Sequence, residues 1–140
     1  MTRMHDVAQL LVSCWVLSGK DRSMPTSHGL LDRALMAVAE EEAFPDWMRG
    51  ELHFVDSRIG LQCVELPDVL DWAQRSELTS APNPSYETTQ IQVSERVAHY
   101  LIRHLGVSEE DAKTWGRGLR DAVEDAKGKL QQFGVSIIDE

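Results

Sequence analysis

The sequence predicts one α+β domain spanning residues 1–140, with about five helices, a β-hairpin and one or two further short strands. Three observations carry that prediction. Apolar residues recur at helical spacings of three and four in several separate stretches. Two short apolar runs flank the turn-forming DSRIG. Strand-like and helix-like segments follow one another with neither regular βαβ alternation nor an internal repeat. The chain has 140 residues, 42% of them hydrophobic, and four tryptophans, enough to bury a core without disulfide or metal staples.

The elements follow in order. Val7, Leu10, Leu11, Cys14, Trp15 and Leu17 keep a helical period that stops at Gly19, and the wide apolar face predicts a buried first helix. Ser27 is placed to cap a second helix running to about Glu41, with Leu31, Ala34, Leu35 and Val38 inward. Pro45 opens a short helical turn, PDWMRGE, and LHFVDSRIGLQCVEL reads as the hairpin. Pro67 suits a first helical position, so PDVLDWAQRSE reads as a short helix with Val69, Leu70 and Trp72 available for burial. TSAPNPSYE, residues 79–87, is a loop and the candidate junction between subdomains.

In the second half, TTQIQV alternates, with Thr89, Ile91 and Val93 on one side and Thr88, Gln90 and Gln92 on the other. Ser94 can cap a helix that puts Val97, Tyr100, Leu101, His104 and Leu105 on one face, ended by Gly106. Ser108 begins a long helix whose first turn holds Glu109, Glu110 and Asp111, where the helix dipole favours carboxylates. Ala112, Trp115, Leu119, Ala122, Ala126 and Phe133 form a seam along residues 108–133, weakened by Gly116, Gly118 and Gly128. VSII, residues 135–138, reads as a C-terminal strand.

The net charge of −9 is unevenly spread. Residues 1–87 balance to −7, residues 88–107 to +1 and residues 108–140 to −3. Such a surface repels phosphate backbones and anionic lipid and suits a basic protein partner. Glu40, Glu41 and Glu42 crowd the end of the second helix, where the dipole disfavours them, a hint of a partner. Trp47 and Trp72 sit in short helices amid acidic neighbours and are the candidate aromatic anchors. No apolar run reaches the roughly 20 residues needed to span a bilayer. The first 20 residues begin basic and apolar like a secretory signal, but Asp6 and Gln9 interrupt them and no cleavage site follows. That segment reads as a helix and the protein as cytoplasmic. Cys14 and Cys63 then read as buried reduced thiols, with a single disulfide between them left open.

The order strand, helix, short turn, helix over roughly 45 residues from Thr88 resembles that of ribbon-helix-helix repressors. The resemblance implies a dimer whose paired strands enter the major groove, with Thr88, Gln90 and Gln92 reading base edges. Against it stand the absence of lysine or arginine from the strand and the Glu-Glu-Asp start of the next helix. The order across residues 4–66 also fits a winged helix, whose recognition helix would be DWMRGE, short and not basic.

Catalytic signatures are sparse. The chain has no G-x-S-x-G, no phosphate loop and no H-E-x-x-H, and nothing in it asks for a cofactor or metal. His99 and His104 lie about 140° apart on a helix and cannot share a metal through one face; His104 reads as a core histidine. Asp68 and Asp71, with Glu65 just before them, suit a helical first turn as well as a cation. The sequence therefore points to a small acidic non-enzymatic interaction module (adaptor, inhibitor or immunity-type protein) binding a basic partner, with the 108–133 seam open to a second copy. The competing readings are a dimeric DNA-binding regulator and an enzyme whose site is assembled from distant residues.

Overall fold

A helix that is apolar on every side needs cover on every side, and α1 (Met4–Ser18) is such a helix, with every residue from Val7 to Val16 except Gln9 fully buried. In the computed structural model, which describes residues 4–26, 29–41, 44–57, 60–80 and 88–132, it is the centre of the fold. After it come β1 (Ser23–Pro25), α2 (Leu30–Ala39), α3 (Asp46–Glu51), the hairpin β2 (Phe54–Ser57) and β3 (Gly60–Cys63), and α4 (Leu66–Arg75). The second half holds β4 (Thr88–Gln90), α5 (Glu95–His104) and α6 (Glu109–Gln132). The molecule is an α+β protein of six helices and two small antiparallel sheets of two strands each among the described residues. One apolar core runs through it, from Val7 on α1 to Ala126 on α6.

Helices α3, α4, α5 and α6 all pack against α1, and α6 lies also on α2. Ala112, Trp115, Leu119, Val123 and Ala126 are buried in that packing. The described part of the seam thus packs on the chain's own α1 and α2. Two of the glycines on α6, Gly116 and Gly118, are points of close approach, not weak points. A Cβ at Gly116 would fall 2.0 Å from the Cys14 carbonyl oxygen, and one at Gly118 would come 3.3 Å from Cγ2 of Val38. Both cysteines are buried and free.

The hairpin forms where the two apolar runs place it, in the register Phe54↔Cys63 to Ser57↔Gly60. The second sheet joins distant segments: β1 pairs antiparallel with β4 through Ser23↔Gln90, Met24↔Thr89 and Pro25↔Thr88. β1 is not foreseen by the pattern, since SMP is three residues long and contains a proline. Alternation in β4 and beyond holds, with Thr89, Ile91 and Val93 buried and Gln90 and Gln92 exposed.

Caps explain the helix boundaries. The Ser94 hydroxyl accepts the Val97 N–H, and that of Ser108 the Asp111 N–H, as the sequence predicts. The N-cap of α2 is Gly29, with no side-chain cap. That helix begins at Leu30 behind Gly29, whose left-handed φ of 66° only glycine adopts cheaply. Ser27 itself lies outside the described residues, as do Phe133, the VSII strand and the loop residues 81–87. No helix among the described residues is long and apolar enough to cross a membrane.

Candidate functional site

The acidic corner at the end of α2 is stabilised internally. α2 has no basic residue in its last turn, and Arg49 of α3 supplies one. Its Nε donates to the Ala39 carbonyl at 2.8 Å, and its Nη2 to those of Glu41 at 2.7 Å and Phe44 at 3.3 Å. A guanidinium at the negative end of a helix offsets the carboxylates there. Glu40 and Glu41 remain exposed, and Glu42 lies outside the described residues. Trp47, on the same short helix as Arg49, is half-buried against the core. Trp72 belongs to α4, is likewise half-buried, and has its ring 5.6 Å from that of His5. Neither tryptophan stands out as an exposed anchor.

The strand residues Thr88, Gln90 and Gln92 sit in a segment bonded on both edges within the chain. On one side lies β1, with Ile91 N donating to the Arg22 carbonyl at 2.9 Å. On the other, Ser80 N donates to the Gln90 carbonyl and Gln92 N to that of Leu78, both at 2.8 Å. Thr88 is half-buried, and the Gln90 side-chain oxygen accepts the Ser23 hydroxyl at 3.0 Å. The edge that a ribbon-helix-helix dimer pairs across is therefore taken. The winged-helix outline fares similarly, because β1 joins β4 instead of the hairpin, and α3 is six residues long.

Chemistry-bearing groups meet where the hairpin enters α4. Glu65 accepts the His53 N–H at 2.6 Å through one oxygen, and its other oxygen lies 2.7 Å from Nδ1 of the same histidine. The Cys63 thiol reaches Glu65 at 4.0 Å, and the Cys63 N–H donates to Asp32 at 2.7 Å. A nucleophilic thiol needs a base or cation beside it. Here a carboxylate stands between thiol and imidazole, and burial pushes the Cys63 thiol up to about 11. Asp71 pairs with Arg75 at 2.8 Å, so Glu65, Asp68 and Asp71 do not act as one cluster. No three metal-ligating side chains converge among the described residues. A surface depression of about 410 Å³ is lined by Glu109, Glu110, Lys113 and Arg117 of α6. Its Glu109 is engaged by Lys113 at 2.8 Å, whose hydrogen bond holds that carboxyl below its ordinary value.

The feature that the sequence reading missed is on α5. That helix docks on α1 through Ala98, Leu101 and Ile102, and the small Ala98, fully buried, permits close approach. Val97, Tyr100 and His104, expected inside, face out instead. Tyr100 is 65% exposed and Val97 44% exposed. The Tyr100 ring stacks on that of His104 with centroids 6.4 Å apart and planes 10° from parallel. Arg96 and Arg103, both exposed, lie on the same side at i−4 and i+3 from Tyr100. Two arginines so close to a tyrosine were the available signal for an outward face. Comparison with models of known families, with curated proteins and with solved structures finds no match to this chain.

Proposed function

We propose that the protein is a non-enzymatic protein-interaction module whose contact surface is the outward face of α5. The observation that carries this reading is Tyr100, largely exposed on α5, with the exposed Val97 on the same helix. Tyrosine offers a large contact area at small entropic cost, and arginine and tyrosine are enriched among residues that dominate binding energy. The net charge of −9 adds a long-range bias toward a partner that is basic overall. Adaptor, inhibitor and immunity-type roles all fit such a module.

The DNA-reading alternative is weakened by the occupied edges of residues 88–92 and by the charge. The enzyme alternative has the His53–Glu65–Cys63 cluster as its best support, and there the thiol is buried and its pKa raised. A photo-crosslinking residue placed at position 100, with a control at the exposed Glu124, tests the proposal in native lysate. Discrete protein adducts from position 100 and none from position 124 are expected. The same adducts from both positions, or none from either, would refute it.

A further inference from the structure

Resting on the reading of α5 as a contact surface, we propose that this face takes an acidic protein segment carrying an apolar side chain. Arg103, Arg96, Tyr100, His104 and Val97 occupy, in that angular order, an arc of roughly 120° on the helix. Several cations elsewhere among the described residues are engaged internally. Arg49 binds Asp46 and three carbonyls, Arg75 binds Asp71, Lys113 binds Glu109, and Arg120 closes the end of α1. Arg96 and Arg103 meet no carboxylate among the described residues, yet they stand one turn to either side of an exposed tyrosine. A guanidinium fork matches a carboxylate bidentately. The apolar flank of Val97 and the Tyr100 ring then offer a seat for a hydrophobic side chain between two carboxylates. The net charge governs approach, whereas this face governs contact, so a partner that is basic overall can present an acidic segment here.

Two other occupants fit less well. An antiparallel pairing of two α5 helices about Tyr100 would bring Arg96 of one copy beside Arg103 of the other at each end, and like charges at a contact are costly. Nucleic acid would gain about two phosphate contacts from the two arginines, too few for useful affinity at physiological salt.

The test is a titration of the isotopically labelled protein, read by the amide shifts of Arg96 to His104. The probe is a synthetic peptide with Leu and Phe one helical turn apart, flanked by glutamates. A counterpart with lysine for every glutamate and a single-stranded DNA oligonucleotide serve as the other arms. The acidic peptide should shift those amides and bind at least about tenfold more weakly to the Arg96→Glu/Arg103→Glu variant, while Arg96→Lys/Arg103→Lys, which keeps the charge but loses the fork, should fall between that variant and the native chain. Equal or stronger binding of the lysine peptide, shifts with DNA instead, concentration-dependent shifts of the protein alone, or no shift at α5 would each overturn the proposal. If adducts from position 100 persist in the double-glutamate variant, the partner segment is not acidic and the interaction reading stands. If no adduct forms at position 100 in the native protein, that reading fails as well.

Discussion

Arg120 and Trp15 are 105 residues apart and meet at the C-terminal end of α1. The guanidinium carbon lies 4.6 Å from the indole centroid while Nη2 donates to the Trp15 carbonyl at 2.5 Å. Nε donates to the Ser18 hydroxyl at 2.9 Å, and Nη2 also to the Asp21 carbonyl at 2.7 Å. α1 has no basic residue in its last turn, so Arg120 is the cation for that end, as Arg49 is for α2. Arg120→Ala should cost on the order of 2–3 kcal/mol in urea unfolding, through lost charge-assisted hydrogen bonds and the cation–π contact. Arg120→Lys should recover less than half, because an ammonium cannot span all three acceptors and stack. Full rescue by lysine would show that charge alone matters.

Gly116 is where α6 comes closest to α1. A methyl group there would meet the Cys14 carbonyl oxygen at 2.0 Å and the Ser18 side chain at 2.6 Å, and a backbone atom cannot swing aside. Gly116→Ala is therefore expected to destabilise by about 3 kcal/mol or more, despite alanine's better helix propensity. Gly128→Ala, which meets nothing within 4 Å, should stabilise by up to about 1 kcal/mol. Similar effects at both positions in thermal melts would contradict this packing.

Ser13 is fully buried on α1, and its hydroxyl has no hydrogen-bond partner among the described residues. Ser13→Ala removes an unsatisfied group at little loss of volume, so the midpoint of unfolding should stay level or rise by the equivalent of about 1 kcal/mol. A loss above that figure would mean that the hydroxyl is bonded.

Burial pushes the Cys14 thiol from 9.0 up to about 12. Above pH 9 the unfolded chain loses a proton that the folded chain retains. The resulting stabilisation is whole below pH 9 and falls by about 1.4 kcal/mol per pH unit as pH rises toward 12. Cys14→Ala should flatten the alkaline decline in urea midpoint relative to the native chain. At neutral pH neither thiol should react with a disulfide reagent until the protein unfolds. Prompt reaction of Cys63 would revive the enzyme reading.

Local rules carried much of the fold at the level of sequence. The Ser94 and Ser108 caps, the DSRIG hairpin and the alternation of residues 88–93 are each set by neighbours a few positions away. Long-range packing decided the rest. β1 exists because Ser23–Pro25 finds Thr88–Gln90, a pairing that a three-residue run cannot announce. On α5, periodicity allowed two overlapping apolar arcs, and the expected face was the one containing Tyr100. The structure uses the other, because Ala98 lets the helix approach α1 closely while Tyr100 would hold it off. The acidic end of α2 looked unpartnered for the same reason: Arg49, ten residues past Ala39, was invisible as its counterpart.

The central claim is that the outward face of α5 makes the contact. It is tested most directly by the affinity of the cross-linked partner for the native chain and for Tyr100→Ala. The account predicts at least about a tenfold loss with an unchanged melting temperature, as expected when an anchor residue is truncated at an exposed site. Equal affinity in the two proteins would place the contact surface elsewhere.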